Sequence, residues 1–106
     1  MKQFITLVPI NFNDGTPVPA ETLESIKWLF WETFGGATIE GPLEGHWVDP
    51  KSGKHYQDSL LRVTVVAGAE KLEEAREIAR QICRTLDQEA IYFEARPADG
   101  VEFLEG

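Results

Sequence analysis

The chain has 106 residues, and its 18 acidic against 10 basic side chains give a formal net charge of −8. A balance of that sign repels phosphate backbones and anionic lipid surfaces, which removes nucleic acid and membrane from the expected partners. The length suits one domain over residues 1–106 with one core, no window approaches the ~18 apolar residues of a membrane span, and a lone cysteine, Cys83, excludes an internal disulfide.

Hydrophobic content of 42% with 26% charged residues is ordinary for a globular chain. The opening stretch MKQFITLVPINFNDG has one lysine and an apolar run broken by Pro9 and Asn11, unlike a signal peptide. Together with single-cysteine usage this leads to the expectation of a cytoplasmic protein.

Lys2 to Phe12 reads as a first strand, apolar on both alternating sets (Phe4, Val8, Ile10, Phe12 and Ile5, Leu7), so both of its faces are expected to be covered. Asn13-Asp14-Gly15 signals a turn. Pro17 and Pro19 lead into a helix from Ala20 to Phe34, with Glu21 and Glu24 favourable near its positive end and Gly35-Gly36 closing it. At 100° per residue Leu23, Ile26, Phe30 and Phe34 form the core stripe, with Trp31 on its flank, Trp28 opposite and Leu29 well off it. Ala37 to Leu43 is strand-like but interrupted by Gly41-Pro42, the mark of a bulge or an edge.

After the segment from Gly45 to Asp58 comes LLRVTVVA (Leu60 to Ala67), again apolar on both faces. Glu70 to Leu86 predicts a second helix with the stripe Leu72, Ala75, Ile78, Ala79, Ile82, Cys83 and Leu86, supported by pairs such as Glu73 with Arg76. Ala90 to Ala95 is a fourth strand, and Val101 to Leu104 reads as a further short strand folding back across the Pro97-to-Gly100 turn. The order is that of a ferredoxin-like βαββαβ α+β domain, an antiparallel sheet with both helices on one face. Helices on one face leave a doubly apolar sheet half covered. The expected cover is a second copy of the chain, simplest as a dimer, or else the Gly36–Glu44 and Val101–Leu104 segments folded over the open face.

The chemistry-bearing residues gather in GHWVDPKSGKHYQD, Gly45 to Asp58. Pro50-Lys51-Ser52-Gly53 reads as a four-residue hairpin loop, which sets Asp49 against Lys54, Val48 against His55, Trp47 against Tyr56 and His46 against Gln57. Alternation then places His46, Val48, His55 and Gln57 on one face and Trp47, Asp49, Lys54, Tyr56 and Asp58 on the other. Two diagonal histidines begin a metal site, but zinc asks for three or four ligands, so no metal and no cofactor is expected. His46 or His55 could serve as a general base with Tyr56 or Asp58 nearby. Trp47 with Tyr56, and with Trp28, could wall a ligand pocket, or the first two could simply be a stabilising cross-strand pair. The glycines fit neither a Walker A nor a dinucleotide fingerprint, Cys83 sits in an apolar stripe where a buried inert thiol is expected, and the basic residues of a base-stacking sheet are missing.

With GPLEGHWVDPKSGKHYQD read, FGGAT before it and QEAIYF after the second helix, the chain resembles small uncharacterised bacterial ferredoxin-like proteins with a G-x-W-x-D-x-x-G-x-x-Y-x-D-like hairpin. Gly45, Trp47, Asp49, Gly53, Tyr56 and Asp58 are the matching positions, and the resemblance lends weight to the tryptophan face without lending a function. The sequence thus leads to two expectations. The first is a dimeric binding or regulatory domain that contacts a protein partner or small ligand through its sheet and hairpin, with Trp28, Trp47, Asp49 and Tyr56 as contacts. The second is a small enzyme of the dimeric ferredoxin-like barrel type using His46, His55, Tyr56 and Asp58 on a small organic substrate.

Overall fold

A computed structural model describes all residues, Met1–Gly106. Strand β1 (Lys2–Pro9) is followed by helix α1 (Ala20–Phe34), the paired strands β2 (Thr38–Val48) and β3 (His55–Ala67), a short 3-10 turn at Ala69–Lys71, helix α2 (Leu72–Thr85) and strand β4 (Phe93–Pro97). The sheet order is β2-β3-β1-β4 with every neighbour antiparallel. This is the ferredoxin-like arrangement that the element order predicts.

Strand pairing explains the double apolar character of β1. Phe4, Thr6 and Val8 sit opposite Val65, Val63 and Leu61, and this set points at the helices. There Phe4, Val8, Val63 and Val65 close on Ile26 and Phe30 of α1 and on Ala75, Ile78 and Ile82 of α2, with Leu86 just beyond it, in one core. Thr6 is the buried polar residue of that face. Both predicted helical stripes are therefore core stripes, and both helices lie on one side of the sheet.

Several boundaries differ from expectation. The β1 strand ends at Pro9, although Ile10 N–H still donates to the Ser59 carbonyl at 3.1 Å; beyond it the chain turns back on itself, Val18 N–H donating to the Ile10 carbonyl and Asn11 bridging to Pro17. Leu29 packs against the core rather than standing off it, which leaves Trp28 and Trp31 as the apolar excess of α1. β4 begins at Phe93, three residues later than the Ala90 start, after a turn through Asp87 in the left-handed region. No strand forms over Val101–Leu104: Phe103 and Leu104 are exposed, so this segment does not cover the sheet. Nor do residues 36–44 cover it, since most of them belong to β2, an edge strand.

Gly41 interrupts β2 as a bulge between Glu40 and Leu43, preceding Pro42 in a cis peptide. Its φ is 137°, and a Cβ there would meet the Leu60 carbonyl oxygen at 2.8 Å, so only glycine fits. Beyond the bulge the β2–β3 ribbon leaves the body. β1 pairs with β3 only from Leu60 onward, so residues 44–59 form an arm with no third strand beside most of it. The molecule measures 49 × 31 × 27 Å with a radius of gyration of 14.8 Å, above the roughly 13 Å of a compact domain of this length.

Candidate functional site on the hairpin arm

The arm is built from the loop outward. Gly53, at φ 70°, donates its N–H to the Asp49 carbonyl, Asp49 donates to the Lys54 carbonyl, and the Asp49 carboxylate accepts from the Lys51 N–H. The register is the predicted one: His46 opposite Gln57, Trp47 opposite Tyr56, Val48 opposite His55. The two faces of the ribbon consequently carry different chemistry.

On one face four polar side chains form a chain. Gln57 Nε2 donates to Glu44 Oε1 at 3.2 Å, His46 Nε2 meets Glu44 Oε2 at 2.8 Å, and His46 Nδ1 meets His55 Nε2 at 2.8 Å. A carboxylate only accepts, so His46 Nε2 carries a proton toward Glu44, while the direction of the His46–His55 bond follows the tautomers of the two rings. All four residues are exposed. No group of three or more His, Cys, Asp or Glu side chains converges here or elsewhere in the structure.

On the other face Trp47 and Tyr56 stack with ring centroids 4.5 Å apart and planes 13° from parallel. The Lys54 ammonium lies 5.0 Å from the Tyr56 centroid, close enough for a cation–π contact. This pair walls a groove of about 1210 Å³ at the root of the arm. Its opposite side comes from two loops, Asn11–Gly15 and Asp87–Ala90, which Asn13 ties together by donating from Nδ2 to the Asp87 carbonyl at 2.9 Å. Asp49 and Asp58 line the same groove.

Trp28 does not join this wall. It lies with Leu29, Trp31 and Ile82 along a separate groove of about 630 Å³ between the helices. Cys83 is half-buried, its thiol donating to the Gln88 carbonyl at 3.2 Å, so it is less enclosed than its stripe position implies. The loop residues opposite the Trp47–Tyr56 wall carried no sequence signal beyond the Asn13-Asp14-Gly15 turn. They meet the arm only through tertiary packing.

The sheet face away from the helices carries a second unpredicted feature. Ile5 and Leu7 of β1 lie between Thr64 and Arg62 of β3 and Glu94 of β4. Arg62 reaches Glu40 at 3.7 Å, Arg96 donates to Glu94 at 2.9 Å, and Tyr92 donates its hydroxyl to Glu94 at 2.9 Å. The Arg96 and Tyr92 bonds hold the Glu94 carboxyl below its ordinary range, and Glu94 in turn raises the Tyr92 hydroxyl above its own. Ile5 is 5% exposed although no helix covers it.

Neither a protein-family profile nor a curated protein matches this sequence. Solved structures do. A phage SAM lyase in complex with S-methyl-5′-thioadenosine superposes with a TM-score of 0.70 at 13% identity, over 90% of this chain and 79% of that one. The divalent cation tolerance protein Cut A1 from Thermus thermophilus gives 0.66 at 15% identity, over 93% and 85%. The periplasmic divalent cation tolerance protein CutA from Archaeoglobus fulgidus gives 0.64 at 19%, over the same shares. At such identities the likeness speaks to the fold, a small ferredoxin-like α+β sheet. No helix is long and apolar enough to cross a membrane.

Proposed function

We propose that this chain is a cytoplasmic binding domain that works as a homo-oligomer, a twofold dimer in its simplest form, and uses the Trp47–Tyr56 groove for a small ligand or partner. The observation that carries the reading is the uncovered sheet face. Half-buried Leu7, Leu60 and Val66 lie around the enclosed Ile5 on the side away from both helices, flanked by the ion pairs Arg62–Glu40 and Arg96–Glu94. An apolar strip flanked by charges of both signs is self-complementary, whereas the acidic remainder of a −8 chain repels a second copy elsewhere.

The groove supports the ligand half of the reading. A stacked aromatic pair with polar groups across from it offers a small molecule both apolar surface and hydrogen-bonding partners, and one structural neighbour holds S-methyl-5′-thioadenosine. The hairpin likeness through Trp47, Asp49 and Tyr56 points to the same face. The acid–base alternative has less behind it. His46 and His55 are exposed on the ribbon face opposite Tyr56 and Asp58, so the four do not converge on one reacting atom.

Light scattering on a sizing column tests the assembly. A mass at a multiple of 11.9 kDa is expected, falling to one chain for Leu7→Glu with its far-UV spectrum unchanged. A single-chain mass at high concentration for the unaltered protein would overturn it.

A further inference from the structure

The groove between the helices goes unused by that reading. We infer that the exposed face of α1 around Trp28 and Trp31, with this groove beside it, is a docking site for an arginine-bearing segment of a partner protein, whose guanidinium groups Glu24 and Glu32 receive.

Trp28 and Trp31 stand three residues apart on α1 and are 52% and 40% exposed, although Leu23, Ile26, Phe30 and Phe34 already supply the stripe that holds the helix to the core. Core packing therefore does not account for them. At 100° per residue, Trp31, Glu24, Trp28, Glu21 and Glu32 fall within one sector of roughly 100°, and all five are exposed. Trp28 thus has one carboxylate four residues before it and another four residues after it, each a helical turn away. Lys27, at the edge of the sector, bonds Glu24 at 3.0 Å. A surface pair of that kind contributes little and gives way to a better-placed cation.

Three carboxylates around two indoles select the occupant. A guanidinium stacks flat on an indole while its fork bonds a carboxylate, which an ammonium, a compact point charge, does less well. A second copy of this chain would set three further carboxylates against these three, and a phosphate backbone would be repelled. The groove of about 630 Å³ beside the tryptophans takes the rest of the segment: Leu29 and Ile82 offer apolar contact, Gln81 and Thr85 hydrogen bonds. The nearby cations of α2 do not fill it, since Arg80 and Arg84 both bond Glu77, and all three lie outside its lining.

Two-dimensional NMR of the isotope-labelled protein tests this, because each of the three tryptophans reports through its own indole N–H. The probe is a capped nonapeptide alternating arginine and leucine, added at about 0.15 M ionic strength to screen the general attraction of a −8 chain. We expect saturable shifts of the Trp28 and Trp31 indoles with Trp47 unmoved, affinity at least ~3-fold weaker for the lysine–leucine peptide, and no binding of the glutamate–leucine peptide. Trp28→Ala should weaken binding about 10-fold. Glu24→Gln combined with Glu32→Gln keeps both indoles and should weaken it by a similar factor, ~10-fold. All three positions are exposed, so unchanged thermal midpoints verify folding. Absence of saturable shifts at these two indoles, equal affinity for the lysine peptide, or undiminished binding in either variant would overturn the inference. Indole shifts that follow protein concentration without peptide would overturn it too, by making the occupant a second copy. Leu7 and Trp47 lie elsewhere, so its failure leaves the sheet-face assembly and the Trp47–Tyr56 groove standing.

Discussion

Gly41 shows how a single backbone position sets the direction of the arm. Its φ of 137° and the 2.8 Å approach of the Leu60 carbonyl to a would-be Cβ both act against any side chain, whereas Gly15 shares a positive φ with nothing near it and Gly36 has neither constraint. Gly41→Ala should therefore cost about 1–3 kcal/mol, Gly15→Ala less, and Gly36→Ala close to nothing, measured as shifts in urea denaturation midpoint. Asp14 supplies a second residue-scale test. The Thr16 hydroxyl, then the Thr16 N–H, hold its carboxyl below the ordinary range. A lowered folded pKa means that the stabilisation is present above the ordinary carboxylate value and is lost as pH falls through the lowered one. Thr16→Val should move the Asp14 carboxyl back upward in an NMR titration; an unmoved value would show that the backbone bond alone suffices.

Among the elements, α2 and the arm stand at opposite ends of a stability range. Ile82 and Leu86 are fully enclosed in the core, so Ile82→Ala should cost about 2–5 kcal/mol. Trp47 is 46% exposed on a ribbon with no third strand beside it. Its stack with Tyr56 contributes about 0.5–1.5 kcal/mol to the arm alone. Trp47→Ala should accordingly collapse amide-exchange protection around residues 46–57 while leaving the global unfolding midpoint nearly in place. Loss of both together would mean that the arm and core unfold as one unit. The register of this ribbon was legible in the sequence because Pro50-Lys51-Ser52-Gly53 sets the loop length and alternation does the rest. The start of β4 was not, since Ala90 to Tyr92 have strand composition but precede the ladder proper, where the Tyr92 carbonyl accepts from the Leu7 N–H.

For the whole molecule, 16 of 106 residues are buried, and the extended shape explains why so few are. Arm and sheet face are unpartnered within one chain, and a domain that is completed by a second copy gains stability with concentration. Its thermal midpoint should rise as protein concentration increases and lose that dependence in Leu7→Glu.

Composition and pattern alone determined the α+β class, the helices, the core stripes and the hairpin faces, because these follow from local periodicities of 3.6 and 2 and from turn chemistry that neighbours in sequence enforce. Tertiary structure alone decided which loops face Trp47 and Tyr56, that Trp28 lies elsewhere, and that Arg62, Glu94 and Arg96 frame an open sheet. Those juxtapositions join residues dozens of positions apart, and what sets them is the packing of helices on a twisted sheet, to which no local pattern refers.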